Sequence, residues 1–455
     1  MKQAILDKYY HILWRLAKKY IQKHKPFVIG VNGSVGKTSC RMIVMQTLQK
    51  FLPHKVVYTS SKNFNGELWF PLSIFCVDAF IPTIYHFIYT FFHAIDLVYF
   101  SKKAPYDIIV LEYGIDRPGE MSFLLHIVKP DIGIFTAMDS VHSEQFGDPQ
   151  AIAQEEIKMI LATKETAFLN HDDMYAMQLY DRISIEKFTY QTEWYSQQAD
   201  IHFDRELFIY DDGVRVTFDL LVKSHTMTIK TNMIGKAHYG YIGVWLTIAD
   251  MLSYKYTGNG IIKSLDVVTL DYALQPGRLS ILSWYKDSVI VDASYNASPR
   301  SVTKIINTVY TLRQQLYPDH KIIVMLGDMK ELGDFAEQEH RKLAAYVHGV
   351  ADDVFLVGQM MSRFVYDELC KIGYTERRIR RYLSSVEAGD ALRNLLKKSK
   401  GKYIIVFKGS QNTIFLEEAI KKILAYPADV AQLPRQGDWW TTKKNVFFGG
   451  HSDPL

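Results

Sequence analysis

The stretch VIGVNGSVGKTSC, residues 28–40, constrains this chain more than any other. An apolar run ends in a glycine-rich turn, followed by a lysine, two hydroxyl residues and a helical pattern. Gly33 and Gly36 allow the sharp turn that aims backbone N–H groups at an anion. Lys37 is spaced to reach a β- or γ-phosphate, and Thr38 to place its hydroxyl on Mg²⁺. The next helix presents its positive end to the same anion. A strict phosphate-loop spelling needs glycine at position 31, where this chain has Val31. The expectation is a strand–loop–helix unit in which Asn32, Gly33, Ser34, Val35, Gly36, Lys37, Thr38 and Ser39 bind a nucleoside triphosphate. The loop alone does not fix the reaction.

The 455 residues suffice for two or three domains, and 48% hydrophobic content supports packed cores. A net charge of +4 is too small to point to nucleic acid. Cys40, Cys76 and Cys370 are scattered, with no C-x-x-C, as suits a reducing cytosol. Residues 1–25 read as a basic amphipathic helix and no secretory signal, since cations interrupt each apolar run. Ile5, Tyr9, Ile12, Leu13, Leu16 and Tyr20 form its stripe. It docks on the chain's own core, on a membrane surface or on a partner. Residues 73–100 are long and apolar enough to span a bilayer, but Asp78, Pro82, His86, His93 and Asp96 argue against lipid burial. Burial in the protein is the first expectation there, interfacial membrane contact the second.

From residue 26 to 273, strand-like and helix-like segments alternate; a second alternating section covers 274–425. Residues 426–455 show no clear periodicity and are expected to be an irregular tail. The fold class is α/β: a P-loop central domain with a mostly parallel sheet, then a Rossmann-like α/β domain. DIIVLEYG (107–114) and DIGIFTAM (131–138) read as buried parallel strands, and 207–221 as a hairpin around Asp-Asp-Gly. Binding groups gather at the C-terminal ends of such strands. Glu112 ends one strand and can hold Mg²⁺; His142 and Glu144 follow the next. Two cation positions would suit phosphoryl transfer.

Several runs then appear in a telling order: NGSVGKTS, KNFNGELWFPLSI (62–74), LEYGIDRPGEM (111–121), PGRLSI (276–281), DASYNASPRS (292–301), LGDMKELG (326–333) with His340, and KGSQNTIFLE (408–417). Together they resemble the Mur ligases, and within them the MurF-type branch that adds D-alanyl-D-alanine to UDP-muramoyl-tripeptide. The resemblance implies an ATP- and Mg²⁺-dependent ligase of cell-wall precursor synthesis in the cytoplasm. It activates a muramoyl-peptide-like carboxylate as an acyl phosphate, which an amine attacks. It implies that Lys37 and Thr38 hold phosphates and Mg²⁺, that Glu112 and His142 contact metal, and that Arg278 and Asp292 approach the nucleotide. Tyr295, Asn296 and Lys408 would face ATP or the incoming amine. Asn63, Asn65, Ser298 and Ser410 would lie on the substrate side. A folylpolyglutamate synthase-like ligase, or a nucleotide switch without ligation, are the competing readings.

The chain departs from that pattern in places. Only the basic helix precedes the loop here, where the family carries a uridine-nucleotide-binding domain. The acceptor is therefore open, and a membrane-surface substrate is one expectation. Glu156 stands where the family has a carbamylated lysine, with Lys158 two positions on and so on another helix face. The expectation is that Glu156 supplies that carboxylate directly. The family's G-x-H-N-x-x-N block is reduced to IGKAHYGYIG (234–243), with Tyr241 at the adenine-side asparagine. Ser298 and Gln411 replace residues usual on the amine side.

Overall fold

The computed structural model describes residues 2–60, 69–77, 80, 83–139, 146, 149–193, 198–273, 275–283, 288–410 and 413–449. The first sheet comprises β1 (Phe27–Asn32), β2 (Val57–Thr59), β3 (Ile108–Tyr113), β4 (Ile132–Phe135), β5 (Thr166–Asn170), β6 (Glu186–Tyr190), β7 (Ile201–Tyr210), β8 (Val214–Val222), β9 (His225–Thr231) and β10 (Val267–Leu270). Their spatial order is β10-β9-β8-β7-β6-β5-β4-β1-β3-β2. Every pairing from β2 across to β7 is parallel; the β7–β8 and β8–β9 pairings are antiparallel. β1 lies between β3 and β4, with Ile29 opposite Val110 and Ile132. Both faces of these strands are covered, so their sequences run apolar without alternation. β8 alternates buried and half-buried residues, and with β7 it forms the hairpin expected at Asp-Asp-Gly.

Helices cover both faces. α1 (Lys2–His24), α2 (Lys37–Phe51), α3 (Trp69–Ile74), α4 (Ile84–Ile95), α5 (Glu120–Ile127), α6 (Pro149–Leu161) and α7 (Lys236–Thr257) belong to this half. α2 and α7 share one core, where Trp245 Nε1 donates to Cys40 O at 2.8 Å. α1 docks on the opposite core through Leu13, Ala17 and Tyr20, beside residues of α3, α5 and α6. Ile12, expected on its buried stripe, is exposed.

The 73–100 segment is not buried as a unit. Ser73, Ile74 and Phe75 are inside, but α4 and the π-helical turn Asp96–Phe100 aim large apolar side chains outward. Among the described residues no helix is long and apolar enough to cross a membrane.

The second sheet comprises β11 (Ser280–Ser283), β12 (Val289–Asp292), β13 (Lys321–Gly327), β14 (Asp353–Val357), β15 (Ile379–Tyr382) and β16 (Tyr403–Lys408), in the order β11-β12-β16-β13-β14-β15. Only the β11 edge is antiparallel. The helix α8 (Pro299–Leu316) follows β12; Ser298 and Ser301 cap it reciprocally, and Pro299 fits its first turn.

The segment from 426, expected to be irregular, folds as a 3₁₀ turn (Pro427–Gln432) and a helix α9 (Asp438–Gly449). Trp440, Phe447 and Phe448 pack around Phe415. Only these few aromatics carry the helical spacing, which is why periodicity did not reveal it. Arg435, just before α9, donates to both oxygens of the fully buried Glu417 and to the backbone carbonyls of Ser294 (2.9 Å) and Tyr295 (2.7 Å). Lys444 Nζ closes the cluster at 2.8 Å from Glu417 and 2.7 Å from Glu418.

Candidate active site

The C-terminal ends of β1 and β3 meet the C-terminal ends of β12 and β16 across a cavity of about 850 Å³. One wall is the loop between β1 and α2. Gly33 and Gly36 have φ of +122° and +95°, the left-handed region where glycine is at ease. A side chain at Gly33 would collide with the Thr136 hydroxyl, and one at Gly36 with the Tyr241 hydroxyl. Tyr241 thus packs under the loop and helps to shape it. The loop is tied to the segment just after β4, since Ser34 N and Val35 N donate to Ala137 O at 2.8 and 3.1 Å. α2 starts at Gly36 without a side-chain cap. Its first-turn N–H groups point out of the helix start, where an anion would sit.

Lys37 Nζ folds back to donate to Gly33 O. Thr38 Oγ1 lies 3.4 Å from Glu112 Oε1, and Arg41 Nε lies 3.2 Å from Glu112 Oε2. Behind the loop, Glu156 on α6 is buried and accepts from Asn32 Nδ2 and, at 3.4 Å, from Gly33 N. Burial pushes its carboxyl up to about 7, against the pull of the Lys37 ammonium. Lys158 points elsewhere, pairing with Glu155 at 2.6 Å.

The facing wall comes from the second sheet. The Arg278 guanidinium stacks 4.2 Å from the Tyr295 ring centroid, and its Nε has no hydrogen-bond partner among the described residues. Asp292 is fully buried; Oδ1 accepts from Ser294 N at 2.9 Å, while Oδ2 has no such partner. Burial pushes the Asp292 carboxyl up to about 6. Burial, aided by the nearby Arg278 charge and opposed by Asp292, pushes the Lys408 ammonium down to about 7.

The sequence-derived residues divide into three groups. Ser34, Val35, Gly36, Lys37, Thr38, Ser39, Glu112, Arg278, Tyr295, Asn296, Ser298 and Lys408 line the one cavity. Asn32, Gly33, Glu156, Asp292 and Ser410 stand behind its walls. Ser410 Oγ accepts from Lys330 N at 2.9 Å, bracing the loop after β13, and the Ser298 hydroxyl is spent on capping α8. Asn63, Asn65, His142, Glu144 and Gln411 lie outside the described residues.

Sequence reasoning gave no site role to several lining side chains, among them Arg300, Lys304, Glu206 and His238. Arg300 reaches from α8 to Asp173 at 2.8 Å and to the carbonyl of Asp172 at 3.1 Å, joining the two halves. It sits inside the quoted DASYNASPRS run, which was the available signal. Lys304 meets Glu193 at 3.1 Å, and Glu206 accepts from Tyr239 OH at 2.7 Å. His238 is buried against Ile234 O at 2.6 Å, and burial holds its imidazole down to about 4. It is neutral at pH 7.

A phosphate loop facing the strand ends of a second α/β sheet defines a two-domain nucleotide-dependent enzyme. The Mur ligase middle domain matches residues 31–240, and the Mur ligase, glutamate ligase domain matches 277–411. The chain belongs to the Mur ligase family of ATP-dependent ligases. The UDP-N-acetylmuramoyl-tripeptide–D-alanyl-D-alanine ligase of Bacillus subtilis is 26% identical over 424 residues, covering 91% of this chain and 79% of its own length. The ligase of that name from Borreliella burgdorferi is 26% identical, with 76% and 66% covered. The crystal structure of the MurF ligase from Thermotoga maritima in complex with ADP superposes with a TM-score of 0.67 at 21% identity, covering 91% of this chain and 83% of that one; at that identity the likeness is one of fold.

Proposed function

We propose that this chain joins a muramoyl-peptide carboxylate to an amine, with D-alanyl-D-alanine as the amine, using ATP. The observation that carries this reading is the two-walled cavity, with Lys37, Thr38 and Glu112 on one side and Arg278, Tyr295 and Lys408 on the other. A carboxylate oxygen attacks the γ-phosphorus, ADP leaves, and an acyl phosphate forms. The amine nitrogen attacks the acyl carbon, phosphate departs with the bonding electrons, the nitrogen loses a proton, and the amide remains. A carboxylate acylates poorly because it has no good leaving group, and phosphate supplies one. Lys37, Arg278 and Lys408 offset charge on the phosphoryl group, and the walls hold the reactants in line.

The Thr38 hydroxyl and Glu112 carboxylate are hard oxygen donors at the same spot, a set that suits Mg²⁺. Thr38 and Glu112 would hold Mg²⁺ there, with His142 proposed as a further ligand, and the ion would offset phosphate charge. Glu156 supplies a carboxylate behind the loop that needs no CO₂. Tyr295 and Asn296 border the amine side, and Asn63 and Asn65 serve the carboxylate substrate. Phosphate release with ATP, Mg²⁺, UDP-muramoyl-tripeptide and D-alanyl-D-alanine, with the product weighed by mass spectrometry, tests this. Release should require both acceptors, and hydroxylamine in place of the amine should give a hydroxamate. Hydrolysis indifferent to both, with no hydroxamate, would overturn the reading.

A further inference from the structure

Far from the cavity, the outward face of α4 is apolar along its whole length. Ile84 is 79% exposed, Tyr85 72%, Phe92 62% and Phe100 73%, with Ile88, Tyr89 and Tyr99 between them. Asp96 is the one acidic residue between positions 79 and 106. An apolar face this continuous on the outside of a protein marks a contact surface. Its rim says what kind. α1 packs beside it, with the Tyr9 ring 5.0 Å from Phe87 and Tyr9 OH donating to Phe87 O at 2.8 Å. Lys8, Arg15, Lys19 and Lys23 lie at helical spacing on the exposed side of α1. Lys19 Nζ sits 4.3 Å over the Tyr99 ring, and Lys23 Nζ caps the carbonyls of Val98 and Ser101. Lys102 and Lys103 follow, both exposed.

We propose that this face lies on an anionic lipid surface. Phe and Ile side chains enter the acyl boundary, tyrosines sit at headgroup level, and the α1 and 102–103 cations meet lipid phosphates. A second copy is the poorer occupant, because an isologous pairing would set this cationic rim against itself. The face lies in the plane of the interface; α4 has 12 residues, far short of a span. The proposal is independent of the ligase chemistry, since none of its residues lines the cavity.

Flotation of the full chain with vesicles tests it, comparing phosphatidylcholine alone with phosphatidylcholine plus phosphatidylglycerol. The chain should float with the anionic vesicles, and added salt should release it. Lys19→Gln, Lys102→Gln and Lys103→Gln should each lower partitioning on the order of fivefold. Ile88→Ser with Phe92→Ser should abolish it while leaving phosphate release intact, which shows the variant folded. Absence of flotation with anionic vesicles overturns the proposal. So does a result in which the Ser variants only convert a dimer to a monomer in sedimentation.

Discussion

The two walls of the cavity handle their charges differently. On the loop wall Lys37 is matched to a carbonyl, Glu112 to Arg41 and Thr38, and Glu156 to Asn32, whose Oδ1 has no hydrogen-bond partner among the described residues. On the facing wall Arg278 Nε and Asp292 Oδ2 are buried without hydrogen-bond partners among the described residues, and Lys408 is driven towards neutrality. Buried polar atoms are normally satisfied, and leaving one bare is costly. The charges of the first wall are paired before a ligand arrives. On the second, the cations Arg278 and Lys408 carry a desolvation cost that a polyanion binding there relieves.

The largest expected contrast is in stability. Arg41→Ala leaves Glu112 buried and unpaired, and should cost about 3–5 kcal/mol. Arg278→Met removes a half-buried guanidinium that stacks on Tyr295 and has no hydrogen-bond partner on Nε among the described residues, and should cost less than about 1 kcal/mol. Chemical unfolding midpoints of the two variants check this; equal losses would break the comparison. In activity, Lys37→Met should lower phosphate release by about 10²–10³-fold, the effect of deleting one preorganised positive donor. A smaller effect concerns pH. In the ligand-free protein Lys408 loses its proton near pH 7. Bound phosphates favour the charged form and raise that pKa, so binding above pH 7 takes up a proton. ATP affinity should therefore fall as pH rises past 7, by at most about tenfold per unit. Lys408→Arg, charged throughout, should flatten the titration calorimetry profile. The smallest expected effect is none: added bicarbonate should leave turnover unchanged, because the Glu156 side chain brings its own carboxyl group to that place. A bicarbonate dependence that disappears in Lys158→Ala would refute that role.

The loop was legible in the sequence because its function is local. Turn, lysine, hydroxyl and helix start must be contiguous, so Val31 in place of glycine did not hide them. β3 and β4 were legible because burial on two faces demands unbroken apolar runs. Arg41, Arg300 and the Arg435–Glu417–Lys444 cluster were not. Each joins positions tens to hundreds of residues apart, and nothing in a single surface-like arginine says that its partner waits across the fold. Tyr241 carries a role its motif did not show: it lines the cavity, and its hydroxyl also fills the space against Gly36. The apolar 73–100 segment gave its hydrophobicity correctly but not its direction, since composition does not say which face of a helix is covered.

The clasp of Arg435 on the Ser294 and Tyr295 carbonyls makes the last helix part of the machinery's posture. Clipping the chain ahead of residue 435, or crowding α9 with a bulky fusion, would slacken the Tyr295 shelf from behind. On the proposed reading, ligation should suffer in such a protein more than binding of phosphates at the Lys37 loop, which Arg435 does not touch.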